Sequence, residues 1–392
     1  MLAEKLASDR SAETMLRAAV EAACAEGLAG IGPRALSRIA GLPPATVNYR
    51  FGSGAQLSRA IYRALSLEVE AEFEALFARI AAYPERSGSA AGVVASLVGF
   101  ADRRQLGRAL FMRECDMQPW SVGDDGSLAA ERRETRKRLW HRLSETLAPE
   151  LDPADWWLFA EGAEEFSILL TGDALDCAWV ADLARRLADR LGGREIAPIR
   201  PTAVRSGAQV LSPPEEIAPT KQRIIDAAIA LLLRNEPLTH RSVAQEGGTS
   251  LAATTYHFRS KSEILVAAMS QAFRLILAPA AADDRTDLGM GQPFDAEGRL
   301  FPQFGLLRTL AVNASRDASL APLVDAIVRQ RGRASYQFML RSGFEGVDPL
   351  DGLLWSVMGS GVINSAEGLP AGERNIWVAR MARSLESRLF PR

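Results

Sequence analysis

The stretch TKQRIIDAAIALLLRNEPLTHRSVAQEGGTSLAATTYHFRSKSEILVA, Thr220 to Ala267, decides the fold. Ile224, Ile225, Ala228, Leu231 and Leu232 recur at three- and four-residue intervals, the period of a helix that buries one face. Pro237 stops it, and Thr239 or His240 leads into a second segment of barely two turns, Arg241 to Gln245. Gly247 and Gly248 tolerate left-handed backbone, and Ser250 can cap a third helix, Leu251 to His257. Two short helices around a glycine turn predict a helix-turn-helix. Ser260-x-x-Glu263 then has the form of a capping box, opening a longer helix with Ile264, Leu265, Ala268 and Met269 along one side.

A poorer copy opens the chain. Met15, Leu16, Ala19 and Ala23 mark its first helix, followed by Arg34 to Ile39, Gly41, Pro43-Pro44, Ala45 to Arg50 and Phe51. From Arg34 and Arg241 onward the two copies keep a constant offset of 207, which pairs Gly41 with Gly248, Ala45 with Ala252, Tyr49 with Tyr256, Phe51 with Phe258 and Ser53 with Ser260. The cap survives as Ser53-x-x-Gln56. Upstream the offset is 209, so the first copy carries two extra residues in the loop after its first helix, a cheap difference. The last helices repeat as well. AWVADLARRLADRL (Ala178 to Leu191) matches IWVARMARSLESRL (Ile376 to Leu389) at offset 198, and Asp152-Pro153-x-Asp155 matches Asp348-Pro349-x-Asp351 at offset 196. The whole chain is therefore expected to be a tandem duplication.

VNYRFGS (Val47 to Ser53) and TYHFRSK (Thr255 to Lys261), each after a glycine turn and before a capped helix, resemble the DNA-binding domain of the TetR family of transcriptional repressors. The resemblance covers about 50 residues per copy. It implies an all-α fold of two tandem units, each a helix-turn-helix domain followed by a variable helical domain that binds a small ligand and dimerises through its last helices. The expected boundaries are 1–60 for the first helix-turn-helix domain, 61–191 for the first helical domain, 192–219 for a linker, 220–266 for the second helix-turn-helix domain and 267–392 for the second helical domain.

Composition agrees with a helical globular protein. Alanine and leucine dominate, and nothing alternates at period two for long enough to demand a strand. At 392 residues the chain exceeds one ordinary domain. Its three cysteines, Cys24, Cys115 and Cys177, lie far apart, so neither a disulfide framework nor a metal knuckle is indicated. The longest apolar run, Ala90 to Ala101, is too short to span a bilayer, and MLAEKLASDR lacks a signal-peptide core. A soluble cytoplasmic protein is expected. Net charge is −2, but residues 1–60 hold seven Lys/Arg against five Asp/Glu and residues 220–265 hold six against four. Each head is thus +2, a mild basic bias, so DNA binding cannot rest on bulk charge.

Further along, the first long helix should run from about Gln56 to Ala82 with Leu57, Ile61, Leu65, Phe73, Leu76, Phe77 and Ile80 inside. Residues 89–117, 128–148, 153–171 and 174–192 are helix-periodic, and Leu350 to Asn364 mirrors the third of these. The polar run Asp283 to Arg299 has no counterpart after Tyr83 and is expected to be a mobile loop or lid. The linker, rich in Pro and Gly, spans roughly 30 Å as a flexible coil, enough to return to a second head.

A recognition helix presents its N-terminal side chains to base edges and its end groups to phosphates. In the first copy that directs Pro44, Ala45 and Asn48 to bases and Thr46, Tyr49 and Arg50 to backbone. The second copy offers Leu251, Ala252 and Thr255 to bases, then Ala253, Tyr256 and His257 to backbone. Asn48 alone suits a bidentate adenine contact. Arg34, Arg241 and Lys261 are further phosphate candidates, with Ser250 at the helix start. Two departures from the family pattern weaken the first copy: Gly54 stands where the second has Lys261, and Pro43-Pro44 precedes the helix. Either tri-helical unit can instead be a packing element, with Tyr49 and Tyr256 as core aromatics.

For the ligand, Trp156, Trp157, Phe159 and Phe166 crowd one helix with Glu161, Glu164 and Glu165, a composition suited to an aromatic cage for a cation, or to a solvated acidic face on a core helix. The matching helix carries Trp355 and Met358. No cofactor or metal is indicated. Gly359-Ser360-Gly361 and Gly52-Ser53-Gly54 lack the rest of a phosphate loop, and His141, His240 and His257 lack ligand spacing, so no enzymatic reading is favoured. The expected function is a ligand-responsive repressor whose halves pair within one chain as a pseudo-dimer on an asymmetric double-stranded DNA operator, with an unidentified small-molecule effector and no membrane partner. The alternatives are a homodimer in which only the second head reads DNA, and a ligand- or protein-binding module with vestigial heads.

Overall fold

The computed structural model of the chain describes residues 10–40, 49, 51–83, 89–99, 103–118, 128–148, 151–170, 174–194, 196, 217–234, 236, 238–280, 292–298, 300 and 302–391. Among these residues every regular element is a helix, and the only β pairing is an isolated bridge between Phe294 and Leu300. The all-α expectation holds. The chain divides into two compact units, Met1–Trp157 and Leu158–Arg392. The division falls inside a helix, so the last helices of the sequence's first half belong to the same unit as its second half.

In the first unit α1 (Arg10–Glu26) ends in a 3-10 turn, Gly27–Ala29, and α2 (Pro33–Ala40) follows. Then come α3 (Gly54–Ala82), α4 (Ala90–Val98), α5 (Arg103–Asp116), α6 (Leu128–Leu147) and the start of α7 (Pro153–Ile168). Helix α3 starts where its sequence says it should: Ser53 Oγ accepts from Gln56 N at 3.3 Å, and Gln56 Oε1 accepts from Ser53 N at 2.8 Å. Its apolar stripe is buried at Leu57, Ile61, Leu65, Phe73 and Phe77. Leu57, Ile61 and Leu65 join Met15, Ala19, Ala23, Leu36, Phe51 and Phe111 in the core of the head and its support. Helix α1 lies directly on α5. A Cβ on Gly107 would sit 1.9 Å from the Cys24 carbonyl oxygen, so only glycine permits the approach. Arg108 pairs bidentately with Glu72 at 2.6 and 2.7 Å, and the Glu114 carboxylate accepts from Leu28 N at 2.8 Å. The helix-periodic stretch 89–117 is not one helix: α4 ends at Val98, with Gly99 as its C-cap, and α5 begins at Arg103.

The second unit holds the remainder of α7, α8 (Ala174–Leu191), and a second head made of α9 (Pro219–Leu233), α10 (His240–Glu246) and α11 (Leu251–His257). It continues with α12 (Lys261–Ala280), α13 (Pro302–Ala314), α14 (Ala321–Gln330), α15 (Arg333–Arg341), α16 (Pro349–Ala366) and α17 (Ala371–Leu389). Helix α8 packs on both α16 and α17. Helix α7 meets α16 backbone to backbone, since a Cβ on Gly162 would lie 1.9 Å from Val357 O and one on Gly361 would lie 1.8 Å from Leu158 O. Buried ions lock this seam. Arg186 donates to Asp351 and Asp348 at 2.9 Å each, and Arg190 grips Asp351 at 2.9 and 2.7 Å. The same two aspartates cap α16 reciprocally, Asp348 Oδ1 receiving Asp351 N at 3.2 Å and Asp351 Oδ2 receiving Asp348 N at 2.9 Å.

One expectation is adjusted. Over residues 292–298 the polar loop is tied down: Phe294 is buried, exchanges hydrogen bonds with the Asn375 side chain at 3.2 and 2.8 Å, and lies under the Arg374 guanidinium at 5.5 Å. Its anchoring residue explains the difference, because an apolar ring inside a polar run finds a pocket. Residues 283–291 and 299 lie outside the described residues, as does most of the proposed linker.

Candidate nucleic-acid interface

The second head builds its reading surface from packing upward. Ile224, Ile225, Ala228, Leu231 and Leu232 of α9 are buried against α12, whose Ile264, Leu265, Ala268 and Met269 are buried in turn. Helix α10 is fixed at its start by Thr239 and Ser242, each hydroxyl accepting from the other residue's N–H at 3.0 and 2.9 Å. The turn that follows needs glycine at Gly248, where φ is +57°. Ser250 Oγ then caps α11 by accepting from Ala253 N at 3.0 Å, and Thr254 points inward with its hydroxyl bonded to Ser250 O at 3.1 Å. Phe258 closes the core beneath the Lys221 ammonium, 5.6 Å from its ring.

That leaves one face of α11 uncommitted. Ser250, Leu251, Ala252, Thr255 and Tyr256 are exposed, Leu251 at 47% and Tyr256 at 84%. His257 is half-buried, with Tyr256 edge-on at 5.3 Å. Thr255 turns its hydroxyl back to Leu251 O at 2.8 Å, which leaves its methyl group outward. Arg241 and Lys261 flank this face, both exposed, and neither makes an ion pair with a described residue. By contrast Arg234, at the end of α9, is paired with Glu236 and Glu246.

In the first head Arg34 is exposed on α2, and Tyr49 is 90% exposed while Phe51 is buried. The alternation matches Tyr256 and Phe258, so neither tyrosine is a core aromatic. Pro44, Ala45, Thr46, Asn48 and Arg50 lie outside the described residues.

Three further residues shape the second head. His240 Nε2 meets Phe258 O at 3.0 Å, fixing the start of α10 to the end of α11. Asp317, in the loop before α14, bonds Ser262 at 2.5 Å, and that hydroxyl holds its carboxyl below the usual carboxylate range. Ser262 therefore joins the base of the head to the body. Glu263 completes the cap of α12 one residue off the expected box: Glu263 N donates to Ser260 Oγ at 3.1 Å, but the Glu263 carboxylate takes Arg259 N, not Ser260 N, at 2.8 Å. His240 was legible only as a cap neighbour. Asp317 is 55 residues from its partner and carries no local signal.

The ligand candidates other than Glu164 are core residues. Trp156 and Trp157 are buried in the first unit, where Trp157 lies against His141 and under Arg133 at 5.1 Å. In the second unit Phe159, Glu161, Phe166, Trp355 and Met358 are buried and Glu164 is partly so; Trp355 stacks edge-on to Phe390. Glu161 and Glu165 are therefore not a solvated acidic face. Glu165 is engaged by Arg308 at 3.4 Å, by Asn364 at 3.1 Å and by Ser360 at 3.3 Å. No group of His, Cys, Asp and Glu side chains among the described residues could hold a metal ion, and no described helix is long and apolar enough to cross a membrane. No family model matches the chain, and no curated protein matches it.

Proposed function

We propose that the chain is a sequence-specific DNA-binding transcriptional regulator of TetR type, two such units fused in one polypeptide and acting as a ligand-responsive repressor in the cytoplasm. The observation that carries this reading is the outer face of α11. A seven-residue helix anchored by Thr254 and Phe258 presents Leu251, Thr255 and Tyr256 to solvent between two unpaired cations, Arg241 and Lys261. Apolar and hydroxyl groups flanked by positive charge are what base-edge and phosphate contacts require together.

The mechanism follows from the resemblance and from the ties between head and body. Two reading heads fit successive major-groove half-sites only at a separation of about 34–36 Å, so an effector that shifts the body lowers operator affinity by misplacing a head. The Asp317–Ser262 contact and the burial of α9 against α12 and α13 are the connections through which the second head would be moved. The first head keeps an exposed tyrosine in register but has Gly54 in place of Lys261, which favours unequal heads over equivalent ones.

Selection of genomic fragments by the full-length protein, followed by affinity measurement across a salt series, tests the reading. We expect a defined operator, a salt slope that falls by about one for Lys261→Ala, and altered selectivity for the base-directed Thr255→Ala. Enrichment of no sequence, or affinities that neither variant changes, would leave a ligand- or protein-binding module with vestigial heads.

A further inference from the structure

The Glu165 carboxylate of α7 is already answered within its unit, and beside it lies a guanidinium whose Nη1 has no acceptor among the described residues. Glu165 is held by Arg308, Asn364 and Ser360, and Arg308 in turn donates to Asn364 and Glu367. Arg331 lies next to this cluster. Its Nε donates to Ser356 Oγ at 3.3 Å, its Nη2 donates to Ser360 Oγ at 2.7 Å, and its guanidinium covers the Phe166 ring at 5.3 Å. Its Nη1 is shut away from solvent and has no acceptor among the described residues. No described carboxylate forms an ion pair with it; Glu165 shares the Ser360 hydroxyl with it. Burial holds the guanidinium below its ordinary pKa, with Glu165 as the opposing influence.

The fold is shaped to deliver this side chain. Helix α14 stops at Gln330, Arg331 is extended (φ −60°, ψ 135°) with its N–H on Ile327 O at 2.9 Å, and α15 starts two residues later. Gly332 makes the break possible. It sits at φ +82° where a Cβ would lie 2.5 Å from the Leu353 backbone, and a Cβ on Gly352 would lie 2.5 Å from Gly332 O.

We propose that Arg331 anchors the carboxylate of a small organic acid bound within the second unit. Nη1 is its free donor, and Ser356 and Ser360 are the hydroxyls that give up Nε and Nη2 as the guanidinium turns to grip both carboxylate oxygens. This polarity is the reverse of the cation that the acidic residues of α7 suggest from sequence. That the acid acts as the effector rests on the regulator reading; that it binds does not.

The test uses the full chain with benzoate as the probe, and with benzamide and benzylammonium as its neutral and cationic isosteres, read by calorimetry and thermal unfolding without DNA. We expect benzoate alone to bind and to raise Tm. Arg331→Met is expected to weaken benzoate at least about tenfold, the scale of one lost charge-assisted pair. The same variant's unliganded Tm is expected to be equal or higher, because it removes a buried cation without a counter-ion. Arg331→Lys keeps the charge without the planar fork and should also lose most of the affinity, which guards against a misfolded methionine variant. Benzoate binding unchanged in both variants, benzylammonium binding in its place, or no binding of benzoate at roughly millimolar concentration would overturn the proposal. Benzoate binding without any operator binding would sink the regulator reading alone, and the reverse pattern would sink this one alone.

Discussion

Tyr256 is a large amphipathic side chain left 84% exposed on a helix whose opposite face is fully packed, and its register mate Tyr49 is 90% exposed. Exposure of this degree means that neither ring contributes to the core, so truncating either should leave stability within about 0.5 kcal/mol. DNA affinity is the property it should change. We expect Tyr256→Ala to weaken operator binding by roughly tenfold, about 1.4 kcal/mol, with an unaltered melting curve. A fall in Tm that tracks the fall in affinity would reassign the ring to folding. Comparing Tyr49→Ala with it measures how much the first head contributes. At the same scale, His141 packs against Trp157 with its buried Nε2 lacking a partner, and burial first, then Lys137, lower its pKa from 6.5. A base whose folded pKa is depressed binds fewer protons when folded. Its stabilisation is therefore complete above the unfolded value and is lost as pH falls toward the folded one. The first unit should thus lose stability as pH drops below about 6.5, and His141→Phe should flatten that limb of a Tm-against-pH curve.

At the scale of elements, the seam between α7 and α16 is the most exacting contact in the second unit. Gly361→Ala would place a Cβ 1.8 Å from Leu158 O, a backbone atom that cannot swing aside, so the helices must separate. We expect a loss of about 3 kcal/mol or more, read by denaturant unfolding; a cost below 1 kcal/mol would mean that the helices do not meet at this distance. Arg186→Ala should cost a similar 3–5 kcal/mol, because it removes the guanidinium that pairs with both buried aspartates, Asp348 and Asp351. Much of this architecture was legible in the sequence. The 3.6-residue period of Ile224 to Leu232 and of Leu57 to Phe77 is a local signal, as are the Ser53 and Ser250 caps and the Gly248 turn, and each appears as expected. What stayed hidden is non-local. Nothing around Gly162, Gly361 or Gly332 says which backbone will approach it, and no spacing links Glu165 to Arg308 across 143 residues. Acidic residues on α7 therefore looked like a free charge when they were half of a buried pair.

For the whole molecule, the question is whether the two sequence halves pair within one chain or between chains. The last helices of the first half, from Leu158 to Leu191, already share a compact unit with the second half, and Arg186 and Arg190 bind Asp348 and Asp351 there. The repeat is not symmetric at this point: at offset 198 Arg186 corresponds to Ser384, while Arg190 corresponds to Arg388. A pair made of two second halves would face Asp348 and Asp351 with a serine where the first half supplies a guanidinium, burying two carboxylates short of one cation. The pairing found in cis avoids that cost, so we expect a monomer of 42.4 kDa by light scattering across the working concentration range. Twice that mass would favour the reading in which the second head alone contacts DNA and the chain dimerises in trans. A monomer with unlike heads, Lys261 facing Gly54 and His257 facing Arg50, should in turn select an operator whose half-sites differ. Mutating each half-site base by base in the selected operator should then give unequal losses at mirror-related positions, of about 1–3 kcal/mol at the positions each head reads. Equal losses on the two sides would mean that both heads make the same contacts, and the asymmetry assigned to the pair would fall with that result.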